Sequence, residues 1–294
     1  MKAAIIGLQV LILAALVAGA ILLLTQDGDA RVTTPAAKLN HFDGDRAWAD
    51  LLRQVRIGPR PAGSTALGAL ARQLRAQLPN GHIESVPGGL QNVVGTLPGR
   101  LPALVLAAHY DTKDTPAGFV GANDGAGGTA LVLEAARALR RLPQRDPRQV
   151  RFVLFDGEES PAGCNDFLKC GIRGSRAYAA AHAKHLKALV LADFVANRDL
   201  RLKRDLGSDP ALWERLRAAA KRAGVAEIMS SSTQGVVEDD HTPFMKAGVP
   251  AIDLIDFDFP QWHTLQDRPN VLSKRSLDAA GEAVVELMRE LRRR

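Results

Sequence analysis

Two histidines and three acids stand where short apolar runs end: His109, His263, Asp124, Glu159 and Asp193. Strand ends in an open α/β sheet project into one crevice, so residues far apart in sequence converge there. Imidazoles and carboxylates together make a hard nitrogen and oxygen donor set, which suits zinc. One more acid, Glu158, sits beside a prospective ligand and is placed to move protons. The combination predicts metal-assisted chemistry at a carbonyl.

Each position also has a plainer use. His109 with Asp111 reads equally as a strand-end histidine beside a surface acid, or as a ligand whose imidazole the acid orients. Asp124 lies just before a helical pattern and suits an N-cap. The glycines around it form no phosphate loop, because the lysine of that motif is absent. Adjacent glutamates are ordinarily solvated. Glu158 and Glu159, however, follow the apolar run 150–155, so at least one should face the crevice. Asp239 belongs to an acid cluster, 238–240, ahead of a helix-like segment, where capping is the alternative. His41, His82, His182 and His185 have no comparable setting.

The elements that must position these groups follow from periodicity. Helical spacing marks 45–56, 66–78, 127–142, 174–185, 209–223 and 276–291, with Pro210 at a first turn. Short apolar runs at 83–86, 92–97, 103–108, 150–155, 188–192 and 249–255 read as strands. Such alternation predicts an α/β fold, a single globular domain with a mixed, mostly parallel central sheet flanked by helices.

Ahead of that domain, residues 3–24 are almost wholly apolar. They are long enough to span a membrane as one N-terminal transmembrane helix. Lys2 before it and Asp27 and Asp29 after it orient the rest of the chain to the extracytoplasmic side. Small residues at 18–20 offer a cleavable signal peptide, hence a secreted protein, as the alternative. The reading is therefore anchor or signal peptide 1–25, linker 26–41 and catalytic domain 42–294.

The formal net charge is +6, and much of the excess comes from Arg137, Arg140, Arg141, Arg145, Arg148, Arg151 and the arginines at 292–294. No aromatic interleaving accompanies them, so a solvated helix face, a loop and a chain end are expected rather than a nucleic-acid surface. The only cysteines, Cys164 and Cys170, lie close together. Without a second pair or a flanking histidine they predict a loop-closing disulfide rather than a zinc site.

The motifs His109-Tyr-Asp, Asn123-Asp-Gly, Asp156-Gly-Glu-Glu, Asp193 and Trp262-His263, in that order, resemble those of the clan-MH zinc exopeptidases. That family includes bacterial aminopeptidases and glutaminyl-peptide cyclotransferases. The resemblance spans nearly all of the chain beyond the apolar segment. It implies that Asp124, Glu159 and His263 hold one zinc. It also implies that His109 and Asp193 complete a second site bridged by Asp124, with Glu158 as general base.

His109-Tyr-Asp-Thr-Lys113, the 238–244 segment and Phe259-Pro-Gln-Trp-His263 look like the cyclotransferase branch. There a single zinc is expected, and Glu158 would pass a proton from the α-amine of an N-terminal glutamine to the departing amide. Asp193 and Asp239 would form a hydrogen-bond network around it. The substrates implied are peptide or protein N-termini, and the products pyroglutamate and ammonia. The loop after the glutamate pair lacks the tryptophan of animal cyclotransferases, and Asn123 is more typical of aminopeptidases. A zinc aminopeptidase with one or two metals is thus the alternative. An inactive binding ectodomain is a further one, and intact Glu158 and ligand positions argue against it.

Overall fold

One strand shows how the sheet separates two cores. β3 (Arg100–His109) turns Leu104, Leu106 and Ala108 to one side and Ala103, Val105 and Ala107 to the other. Its near-continuous apolar run is what burial on both faces requires. The computed structural model describes residues 34–142 and 144–293, which form one compact unit. The expected membrane anchor and the first half of the expected linker lie outside the described residues. Among those described, no helix is long and apolar enough to cross a membrane.

The strands in chain order are β1 (His82–Val86), β2 (Leu90–Leu97), β3, β4 (Arg148–Phe155), β5 (Leu186–Ala192), β6 (Leu202–Asp205), β7 (Met229–Gln234) and β8 (Ala251–Leu254). Six of them form one sheet in the order β1-β2-β4-β3-β5-β8. The β4-β3-β5-β8 half is parallel, and β1 and β2 add an antiparallel edge, so the sheet is mixed as expected. The register pairs His109 with Phe155 and Ala107 with Leu191. The carboxyl ends of β3, β4 and β5 therefore come out side by side.

Helices cover both faces. On one side lie α1 (Gly44–Ile57), α2 (Thr65–Gln77), α3 (Ala126–Arg141), α6 (Pro210–Ala223) and α8 (Lys274–Arg293). On the other lie α5 (Arg173–His182) and the short α7 (Thr242–Lys246), whose Tyr178 and Phe244 meet Phe155. A single turn, α4 (Phe167–Cys170), interrupts the loop between β4 and α5. Pro210 does open α6, behind an Asp209 N-cap.

Two features depart from expectation. β6 and β7 form a separate two-stranded parallel sheet. β7 reads Met-Ser-Ser-Ser-Thr-Gln and is largely exposed, so it carries no apolar signal. The arginines of α3 are also not simply solvated. Arg137 donates to Asp50, Glu134 and Gln77, and Arg46 and Arg141 reach the same fully buried Glu134. Glu134 and Asp50 thereby tie α1 to α3, and Arg137 reaches α2 through Gln77.

The first turn of α3 presses on the sheet at Gly128. A Cβ there would lie 2.0 Å from the Ala192 carbonyl oxygen, whereas one at Gly68 on α2 would meet nothing within 4 Å. Gly128→Ala should therefore cost at least about 2 kcal/mol through overpacking. Gly68→Ala should gain about 0.5–1 kcal/mol, the ordinary helix preference. Denaturant melts of the two variants check the contrast; equal effects would refute the close approach.

Candidate metal centre and active site

His109 is the last residue of β3, and the chain then loops to Asp124 before entering α3. The helix N-cap is Gly125, not Asp124, and no side chain caps it. Gly125 has φ +93°, and a Cβ there would sit 2.7 Å from the Asp111 carbonyl oxygen. Only glycine suits that turn. Released from capping, the Asp124 carboxylate lies between two histidines. Its Oδ1 is 3.2 Å from His109 Nε2 and its Oδ2 3.5 Å from His263 Nε2. Glu159 Oε1 is 3.4 Å from His263 Nε2, and Asp193 Oδ1 is 3.2 Å from His109 Nε2. Two donor groups result, Asp124–Glu159–His263 and His109–Asp124–Asp193, each with its atoms within 4.8 Å of one another. Asp124 is common to both.

The residues fit a divalent cation. Asp124 Oδ2 and Glu159 Oε1 are buried, point at His263 and carry no hydrogen bond. Buried carboxylate oxygens without donors are costly unless a cation meets them. His109 is nearly inaccessible. Burial opposes its charge, but hydrogen bonds to Asp111, Asp124 and Asp193 outweigh that and raise its pKa well above the ordinary range. It therefore holds either a proton or a metal, since a ligating imidazole is neutral.

Glu158 faces a cavity of about 670 Å³, together with Asp124, Glu159, Asp193, Asp239 and His263. Phe194, Ile255, Phe257 and Trp262 supply much of its apolar wall. Burial, and then the negative charge of Glu159, push the Glu158 pKa well up. Every site residue expected from the sequence thus gathers in one place.

Several supporting residues were not legible beforehand. Asp111 does lie beside His109, at 3.5 Å from Nδ1. Its carboxylate also accepts the backbone N–H groups of Glu158 and Glu159, fixing the pair. Asp267 accepts those of Asn123 and Asp124, tying the His263 loop to the Asp124 loop. Lys113 Nζ sits 3.2 Å from Glu159 Oε2. His263 itself adopts φ +54°, an uncommon conformation for a ring-bearing residue, with its ring stacked on Trp262 and edge-on to Phe119.

Arg60, to which the sequence assigned no role, is fully buried. Its guanidinium donates to the carbonyls of Tyr110, Val120 and Gly121, linking the segments that carry His109 and Asp124. Burial pulls its pKa down to about 10, while Asp111, Asp124 and Asp267 hold it up, so it remains charged near neutrality. Arg60→Met would leave the Tyr110 and Val120 carbonyls unpaired and Gly121 with the Ala126 N–H alone. The expected loss is at least about 3 kcal/mol of stability, with weakened metal retention. Arg60→Lys keeps the charge but not the span, and should fall between. Melts and chelator competition measure both; unchanged values for Arg60→Met would remove Arg60 from the site's support.

The Peptidase family M28 model matches residues 92–288. The chain is 32% identical to the mouse (Mus musculus) glutaminyl-peptide cyclotransferase-like protein, over 78% of this chain and 71% of the mouse protein. The chain belongs to peptidase family M28. Within M28, it is similar to the crystal structure of an Acidobacteriales bacterium glutaminyl cyclase. That match has a TM-score of 0.74 and 30% identity, and covers 86% of this chain and 95% of the other. A leucine aminopeptidase precursor from Bacteroides thetaiotaomicron shares the fold at TM-score 0.75, with 24% identity over 86% of this chain and 98% of the other.

Proposed function

We propose that this M28 protein is a zinc-dependent glutaminyl-peptide cyclotransferase, closing an N-terminal glutamine to pyroglutamate with release of ammonia. The observation that carries the reading is Glu158. It lines an apolar-walled cavity beside the Asp124–Glu159–His263 donor group, in a chain similar over 86% of its length to a glutaminyl cyclase. Asp124, Glu159 and His263 would hold the zinc, a Lewis acid that polarises a carbonyl when bound.

The rest is done by the protein's own groups. Glu158 takes a proton from the substrate α-amine as its nitrogen bonds to the side-chain amide carbon. It returns that proton to the amide nitrogen as the old carbon–nitrogen bond breaks and ammonia leaves. The raised pKa of Glu158 suits a group that must both accept and donate. Asp193 and Asp239 line the same cavity, and the negative charge of Asp239 helps to raise the Glu158 pKa. The apolar wall keeps bulk water from competing with the amine.

One observation favours a second reading. His109, Asp124 and Asp193 form a complete second donor group, as a two-metal aminopeptidase would need. Metal-loaded protein incubated with a glutaminyl peptide and a leucyl peptide separates the two. Loss of one ammonia from an intact Gln-peptide supports the cyclotransferase. Release of free leucine, with the Gln-peptide unchanged, overturns it.

A further inference from the structure

The loop at residues 160–171 leaves the Glu158–Glu159 pair and returns to it. Ile172 N donates to the Glu158 carbonyl at 2.8 Å and Arg173 N to that of Gly157 at 2.9 Å. Within the loop, only Phe167 lines the cavity. Its ring packs over Gly171, where a Cβ would come within 2.8 Å of it. Phe167 opens the four-residue turn α4, far too short to be stable alone.

Three devices hold that turn. The Asp166 carboxylate accepts Lys169 N at 3.1 Å. Arg176, from α5, donates to the carbonyls of Leu168, Lys169 and Gly171. The Cys164–Cys170 disulfide, anticipated from the sequence, closes a ring of backbone that contains Phe167. The loop contributes nothing to either hydrophobic core. Its one structured turn therefore serves to present an aromatic ring to the site.

We propose that Phe167 is a specificity-determining residue, the wall against which the methylenes of the substrate's N-terminal side chain pack, and that the Cys164–Cys170 disulfide is its positioning device. The inference rests on the reading of the site as one for glutaminyl peptides. A ring held at the wall offers apolar contact at small entropic cost, because the crosslink has already removed the loop's freedom. Without the crosslink, the turn samples arrangements in which the ring is withdrawn, and substrate binding must restore the order.

The test is a double-mutant cycle on metal-loaded protein, with kcat and KM measured separately. Phe167→Ala should raise KM for a Gln-peptide about tenfold, with kcat changed far less. The Cys164→Ser, Cys170→Ser pair should raise KM about threefold to tenfold, since it leaves the ring present but unheld. In the Phe167→Ala background the cysteine changes should add nothing further, because there is no ring left to position. Both sites lie outside the cores, so the variants should fold and keep their metal.

An unchanged KM in Phe167→Ala overturns the specificity role. A full additional KM increase from the cysteine changes in the Phe167→Ala background overturns the positioning role. If wild type converts only the leucyl peptide, the cyclotransferase reading fails, and the same cycle run on that substrate decides whether Phe167 still sets KM. Turnover of neither peptide by wild type overturns both.

Discussion

Glu158→Gln lowers turnover of a glutaminyl peptide by about 10²–10⁴-fold, the usual cost of losing a general acid–base group. Bound metal stays at the wild-type level. The amide keeps the size and polarity of the carboxyl but cannot carry the proton. The backbone should not move, because Asp111 accepts the N–H of residue 158 whatever side chain it bears. Burial and the charge of Glu159 raise the Glu158 pKa, so the substitution also relieves a repulsion and should leave the fold at least as stable. Kinetics with metal analysis on the same sample read both halves. Loss of metal would mean that the two glutamates have exchanged roles. Full activity with full metal would remove Glu158 from the mechanism of either candidate reaction.

Asp124→Ala removes metal whatever the stoichiometry, because Asp124 is the carboxylate common to both donor groups. The loss in affinity should exceed the roughly 10–100-fold typical of losing an outer partner of a ligand. Activity should fall with it. Asp193→Ala is the informative companion. If one metal binds at Asp124–Glu159–His263, Asp193→Ala keeps full occupancy and loses only rate. If two bind, it loses one equivalent. Metal analysis of the two variants beside wild type gives the count directly. Full occupancy in Asp124→Ala would rule out both donor groups as assigned.

Of the candidate ligands, His109, Glu159 and Asp193 were legible because each stands at or close behind a buried strand, whereas Asp124 and His263 lie on loops. A charged or imidazole side chain just past a buried strand has few places to go but the crevice, as His109 and Asp193 show. The sheet was legible for a related reason, since β3, β4 and β5 are mostly apolar, with Arg151 and Lys187 as the interruptions inside the last two. What could not be read are groups whose work is to satisfy backbone. Arg60 and Asp267 make hydrogen bonds to main-chain atoms of segments brought near by folding, and Asp111, legible only as the neighbour of His109, does the same. Such bonds leave no periodicity behind. Phe167 was hidden differently, as a single aromatic in a polar loop whose surroundings exist only once the loop has folded back on Gly171. β7 was missed because Ser230 to Gln234 are polar and largely exposed, leaving no apolar run to read.

Asp124, Glu159 and His263 come from three chain segments that meet only when β3, β4 and the loop beyond β8 are all in place. No fragment ending before His263 owns the complete Asp124–Glu159–His263 group. Metal capture at that group would then be a late event in folding, and its occupancy would report that the domain has closed through His263. By mass action, an ion present at a hundred times its dissociation constant adds about 2.7 kcal/mol to the native state. Metal supply would then set the protein's lifetime against proteolysis as well as its turnover. A destabilising change far from the crevice would register first as a shortage of holoprotein.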